Sequence, residues 1–228
     1  MDTMQYRLNF TLVWQFDGEM QVSKKINQSR IQIKKKALIL NAAERVFARY
    51  GFSGSRLTQI AKEAGLPKSN LLYYFNSKEN LYRNLCQDIL ENWLSAIGDI
   101  SDSSEPNEAL RKYIEAKMEL SIQRPDASRV FAMEIISGAP VIGDYLANEL
   151  KSWVDNHALI FQAWQKRGQL AEVSPHHVFF AIWAVTQTYA DFETQIKLVL
   201  GDQHLGSSEN SRAVKSVTQI ILYGLSPR

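Results

Sequence analysis

Residues 57–75, "LTQIAKEAGLPKSNLLYYF", hold two short apolar patterns of helical period with only "GLP" between them. Leu57, Ile60, Ala61 and Ala64 make the inner face of one helix, and Leu71, Leu72 and Phe75 can pack inward from the next. Gly65 closes the first helix and Pro67 opens the second, each residue at the helix end where it is best tolerated. Two short helices joined by a tight glycine turn form a helix-turn-helix when the second presents polar and basic groups. This second helix presents Lys68, Ser69, Asn70, Tyr73 and Tyr74.

The flanking segments complete a small module. Ile33, Ala37, Leu40, Ala43, Phe47 and Tyr50 recur in steps of three or four, which predicts an amphipathic helix ending at Gly51 as its C-terminal cap. Ser55 is the expected N-cap of the following helix, and Ser77 of a long fourth one with Glu79 in its first turn. From Ser23 to Lys36 six basic residues and no acid form a flexible basic lead-in. Residues 1–22 show no helical period and read as an arm, so an N-terminal arm is assigned to 1–32 and the helix-turn-helix to 33–80.

Beyond residue 80 the punctuation stays regular. "SDSSEPNE", "RPD", "SGAP", "RGQLAEVSP" and "GDQHLGSSEN" separate helices expected at about 107–123, 126–137, 141–167, 175–200 and 209–224. No alternating strand bounded by hairpin turns occurs. The fold class expected is all-α, about nine helices, with a three-helix N-terminal domain and a larger C-terminal ligand-binding and dimerisation domain over 81–228. The charge divides in the same place. Ser23 to Arg83 carries 13 Lys or Arg and 3 Asp or Glu, a net of +10, and the rest of the chain carries −8. A basic module of that size points to nucleic acid or an anionic membrane. No apolar run approaches a membrane span, and "LNFTLVW" is a poor signal peptide. The single cysteine, Cys86, excludes an internal disulfide and a cysteine-based metal site and fits a reducing cytoplasm; it is expected to be a packed thiol.

The chemistry of the exposed side chains suits DNA. Lys68 can reach phosphate or guanine, Asn70 can bond a base edge, and Ser69 is small enough for close approach. Ser55, Arg56, Tyr73, Tyr74 and Lys78 lie where they can grip phosphates and set register. The whole stretch "GFSGSRLTQIAKEAGLPKSNLLYYFNSKENLY" resembles the DNA-binding signature of the TetR family of bacterial transcriptional regulators. The resemblance implies an all-α homodimer, paired through its last two helices, that binds a palindromic double-stranded operator and is released by a small ligand. It implies no enzyme activity, no cofactor, no membrane partner and a cytoplasmic protein that is nucleoid-associated when on DNA. Two positions depart from the pattern. Leu72 stands where many members have Tyr, and Pro67 stands where Ser or Thr is common, which removes a hydroxyl that could touch phosphate.

In the C-terminal half, "WAVTQTYADFETQ" (183–195) sets Gln187 and Asp191 into an otherwise apolar helix. Trp183, Gln187 and Asp191 are spaced i, i+4, i+8 and form one stripe. An indole offers a flat stacking surface, a Gln amide pairs with a carbonyl beside a ring N–H, and a carboxylate accepts a second N–H. That set matches the edge of a pyrimidine. The competing reading is that the two polar groups cross a dimer interface or bond to neighbouring helices. "DASRVFAMEIISGAP" and "TQTYADFETQ" are similar to segments of the family's pyrimidine-sensing members, which implies uracil or thymine as effector, read by Trp183, Gln187 and Asp191. Control of pyrimidine degradation and nitrogen metabolism follows from the same resemblance; a different small aromatic or amphipathic effector is the alternative. Trp93 and Met133, with Phe131, are candidates for closing the pocket. Arg129 and Glu134 are candidates for a structural ion pair. His176 and His177 lack partners at metal-ligand spacing, and no nucleophile-elbow, phosphate-loop or paired-carboxylate signature appears.

Overall fold

The computed structural model describes residues 30–98, 100–201 and 206–227, so the arm expected over 1–22 and the start of the basic lead-in lie outside the described residues. Helix α1 covers 30–54, followed by α2 (Leu57–Ala64), α3 (Lys68–Phe75), α4 (Lys78–Ser95), α5 (Pro106–Gln123) and α6 (Pro125–Ile136). A short α7 (Gly143–Tyr145) leads through one π-helical turn, Leu146–Leu150, straight into α8 (Lys151–Lys166). Then come α9 (Pro175–Asp191), α10 (Glu193–Leu200) and α11 (Ser207–Leu225). Counting the rod from 143 to 166 as one, ten helices and no strand occur among the described residues.

Three boundaries differ from the sequence reading, α1 also running on past Gly51 to residue 54. The first helix is already under way at residue 30, inside the stretch expected to be a flexible lead-in. The segment expected to run unbroken over 175–200 divides at Phe192, whose φ of −115° and ψ of 28° leave the helical region. No glycine or proline marks that break. The next residue, Glu193, ion-pairs with Arg129 of α6 at 2.5 Å and with Lys197 at 2.6 Å, so a tertiary contact holds the turn.

Elsewhere local chemistry accounts for the helix ends. The Ser77 hydroxyl accepts the Asn80 amide at 3.0 Å, and the Glu105 carboxylate accepts the amides of Asn107 and Glu108. Pro106, Pro125 and Pro175 each open a helix where the missing N–H costs nothing. Gly65, at φ 63°, ends α2 with its own N–H turned back to the α2 carbonyls, which makes the tight turn into α3.

Two apolar clusters organise the chain. One joins α1 to α4 with Ala127, Val130 and Phe131 of α6, centred on Phe47, Ile60, Leu71, Leu81 and Leu85. Tyr82 packs edge-on against Phe47, the ring centres 4.9 Å apart, and its hydroxyl donates to the Val130 carbonyl. The other joins α5, α8, α9 and α11 around Tyr113, Phe161, Trp164 and Phe179. Leu150 of the π turn packs against both. A second tie is ionic: Arg124, at the α5–α6 junction, pairs with Glu44 of α1 at 2.6 Å and Asp88 of α4 at 3.3 Å.

Candidate effector pocket and DNA-binding face

Helix α3 turns Leu71 and Phe75 into the core and leaves Lys68, Ser69 and Tyr73 exposed. Asn70 and Tyr74 are half-buried, the two tyrosine rings meeting edge-on at 5.0 Å. Leu72, expected to pack inward, is 38% exposed beside Ser69 and Tyr73: the α3 core contact is centred on Leu71 and Phe75, one turn apart, and Leu72 lies at the edge of that face. It adds an apolar group suited to a thymine methyl to the outward face.

Two of the expected phosphate contacts are committed elsewhere. Ser55 is not the N-cap of α2; Arg56 is, with its backbone N–H donating to the Gln59 side chain at 2.7 Å. Ser55 is buried, and its hydroxyl donates to the carbonyls of Gly51 at 2.6 Å and Val46 at 3.3 Å. It therefore satisfies the end of α1, where Gly51 takes a left-handed φ of 67° and the helical pattern runs on only to residue 54. The Lys78 ammonium donates to the carbonyls of Phe52 at 2.8 Å and Ser55 at 3.1 Å and lies 4.4 Å from the Phe52 ring centre. It pins the α1–α2 connection instead of reaching outward. Arg56 is exposed at the start of α2.

In the larger half, a cavity of about 380 Å³ opens between α4, α5, α6, α9 and the π turn. Trp183, Gln187 and Asp191 all line it, since residues four apart on α9 share one face. Trp93 and Phe131 line it too, their rings edge-on at 5.0 Å. Met133 does not: α6 offers Phe131, Ala132, Ile135 and Ile136, and Met133 lies on the other side of that helix. Arg129 and Glu134 do not pair either. Arg129 bridges Asp126 and Glu193, and the Glu134 carboxylate accepts the amides of Val141 and Ile142.

Lys117 was not singled out from sequence. It is 1% exposed, lines the cavity, and holds its ammonium 4.1 Å from the Trp93 ring centre. Burial pushes its pKa down to about 7, with Asp191 drawing it back up. The signal was present in the α5 pattern: Leu110, Tyr113, Ile114, Lys117 and Met118 form one buried stripe with a charge in it. Tyr113 accepts the Trp183 indole N–H at 2.7 Å, fixing that indole. The Asp191 carboxylate accepts the Ser128 hydroxyl at 2.6 Å. Burial raises its pKa, opposed by the Ser128 bond, Arg129 and Lys117. The cavity thus combines aromatic and aliphatic walls with an amide, a carboxylate and an amine, the composition of a small-molecule site.

His176 pairs with Asp155 at 3.0 Å, and no cluster of metal-ligating side chains occurs among the described residues. Cys86 is fully buried, and burial pushes its thiol up to about 12, so it is a packed, unreactive group. No described helix is long and apolar enough to cross a membrane.

Residues 39–85 match the family model described as "Bacterial regulatory proteins, tetR family", and residues 86–228 match "YcdC-like protein, C-terminal region". The HTH-type transcriptional regulator RutR of Escherichia coli (strain K12) is 42% identical over 201 residues, covering 88% of this chain and 95% of that protein. The chain belongs to the TetR family. It is a helix-turn-helix transcriptional regulator of that family and not an enzyme. The HTH-type transcriptional repressor NicS of Pseudomonas putida is 31% identical over 97 residues, 42% of this chain and 46% of that one. The fold is shared with a TetR family regulator from Marinobacter aquaeolei VT8, at TM-score 0.66 and 19% identity over 89% of this chain and all of that one. A regulator from Streptomyces coelicolor superposes at TM-score 0.63, with 24% identity over 85% of this chain and 99% of that one.

Proposed function

We propose that the cavity binds a pyrimidine, uracil or thymine, and that occupancy releases a homodimer from a palindromic operator controlling genes of pyrimidine degradation and nitrogen metabolism. The observation that carries the reading is the convergence of Gln187, Asp191 and Lys117 on one cavity walled by Trp93, Phe131 and Trp183. An amide, an acceptor and a donor complement the alternating carbonyl and N–H groups on the edge of a uracil ring. A site of buried polar groups rejects ligands that leave them unpaired, so cytosine, which lacks the imide N–H, is disfavoured. The family resemblance of "TQTYADFETQ" adds to the reading. Pairing through α9 and α11 is supported by Phe180, Ile220 and Tyr223, which are 50%, 69% and 84% exposed. Two α3 helices would then enter successive major grooves about 34 Å apart.

Coupling has two routes. Helix α4 carries Leu81 and Leu85 of the DNA-binding core at one end and Trp93 of the cavity at the other. Helix α6 lines the cavity with Phe131 and Ala132, and the adjoining Arg124 clamps α1 and α4. A coupling free energy of about 1–3 kcal/mol through these helices gives a several-fold to roughly hundredfold loss of operator affinity.

A thermal-shift panel of nucleobases tests the ligand. Uracil or thymine at about 100 times its dissociation constant adds roughly 2.7 kcal/mol of stability. Leu90, Leu94, Leu146 and Leu150 make much of the wall apolar, which favours a small aromatic or amphipathic ligand as the second reading. A clear shift with such a compound and none with uracil or thymine would replace the pyrimidine with it.

A further inference from the structure

We propose that ligand binding in this cavity takes up a proton at Lys117, so that the regulator reads its effector and the ambient pH together. The inference rests on the reading of the cavity as the effector site, not on the effector's identity. Lys117 projects from the middle of α5 into the cavity, the residue 1% exposed and its amine against the face of Trp93. Among the described residues no carboxylate makes a hydrogen bond to it, and Asp191 is the one charged group acting on it. The other elements around the cavity supply no counter-charge. Helix α4 presents Leu90, Trp93 and Leu94, and the π turn presents Leu146 and Leu150. Helix α6 presents Phe131, Ala132, Ile135 and Ile136; its own charges, Glu134 and Arg129, are engaged with backbone amides and with Asp126 and Glu193. Tyr113 on α5 is the remaining titratable group, and its phenol, held well above its ordinary range by burial, stays neutral.

An amine desolvated in this way carries its proton weakly while no acceptor is hydrogen-bonded to Nζ and Asp191 acts on it only from a distance. A ligand that sets a carbonyl or anionic oxygen against Nζ stabilises the ammonium. Binding is then accompanied by transfer of one proton from buffer to the neutral amine, with no covalent bond made to the ligand. The sign follows from linkage. Below the lysine's empty-site pKa, near 7, the amine is already charged and contributes no pH dependence. Above it, each pH step must be offset by proton uptake, so affinity falls up to about tenfold per unit until the bound-state pKa is passed. Asp191 acts in the opposite sense on the acid side, where protonation removes the acceptor. The affinity profile is bell-shaped, with Lys117 responsible for the alkaline limb.

The test is calorimetric titration of the full-length protein with uracil from about pH 6 to about pH 8.5, in buffers of different ionisation heat. The wild type is expected to show a buffer-dependent heat corresponding to uptake of up to one proton, and weakening affinity above about pH 7. Lys117→Met is expected to bind more weakly with neither effect, and Lys117→Arg, always charged, to lose the alkaline limb while retaining more affinity than the Met variant. A wild-type heat independent of buffer, or the same alkaline limb in Lys117→Met, overturns the proposal. A ligand-free arm separates this from failure of the pyrimidine reading. His157 stacks on Trp153 at 3.9 Å in both proteins, so the readout is the difference in tryptophan emission between the wild type, with its ammonium against Trp93, and Lys117→Met, and this difference should titrate near neutral pH. If uracil does not bind at all, that titration decides alone: its presence supports a proton-accepting site, and its absence sinks it.

Discussion

Replacing Lys117 with Met should make this protein more stable while impairing its sensor site. The stem of Lys117 fills the stripe between Tyr113 and Met118, and Met occupies similar volume without the charge. Holding the amine near 7 instead of its ordinary 10.5 costs the folded state about 5 kcal/mol at low pH, since each tenfold loss of proton affinity is worth about 1.4 kcal/mol. Replacing buried ion pairs by apolar residues is often neutral or stabilising by about 1–4 kcal/mol, because water and local relaxation soften the penalty of a buried charge. A gain of about 2–4 kcal/mol at pH 7 is therefore expected, or roughly 5–12 °C in Tm for a chain of this length at one protein concentration. The sign with pH is fixed. A base whose folded pKa is lowered carries its full penalty below about 7, and the penalty fades as pH rises toward 10.5, where the amine is neutral in both states. The advantage of the Met variant should accordingly shrink from pH 7 to pH 10 in parallel denaturant titrations. A Met variant less stable than the wild type at pH 7, or an advantage unchanged across that range, would refute the assignment of Lys117 as an uncompensated buried amine.

Three further substitutions separate the parts of the molecule. Ser55→Ala removes a buried hydroxyl from the carbonyls of Gly51 and Val46, and should cost about 1–3 kcal/mol in thermal unfolding. Operator affinity well below the unfolding temperature should hardly change; a large loss of affinity would return Ser55 to the DNA interface. Lys68→Ala should weaken operator binding and lower the slope of log affinity against log salt by about one if the ammonium meets a phosphate, as read by filter binding across a salt series. Asp191→Asn should abolish the thermal shift with uracil yet leave ligand-free operator binding within a few-fold of wild type. An unchanged uracil shift would remove the carboxylate from the ligand's contacts.

The DNA-binding face was legible because its constraints are local. Apolar spacing, the glycine that closes α2 and the serine that caps α4 all act within one or two turns. The errors there were also local patterns overridden by packing. Ser55 has the chemistry of a cap, but a neighbouring helix end left carbonyls to satisfy, and burial drew the hydroxyl to them. Lys78 looked free until the fold set Phe52 and two carbonyls beside it.

The pocket divides in the same way. That Trp183, Gln187 and Asp191 share a face follows from the pitch of one helix, so their spacing sufficed. Whether that face meets a cavity depends on where α4, α5 and α6 pack against it, and no spacing within α9 encodes this. Lys117 shows the limit most clearly. It lies 74 residues before Asp191 in sequence. Its position in an apolar stripe was visible, but its low proton affinity was not. That property comes from removal of water by Trp93 and the other cavity walls, and from a carboxylate close enough to act on it without bonding to it. By itself the sequence determined most of the helices, the basic module and the stripe on α9, because those depend on near neighbours along the chain. The tertiary structure alone decided which polar groups converge and which charge is left uncompensated, because desolvation is set by everything that surrounds a group in space.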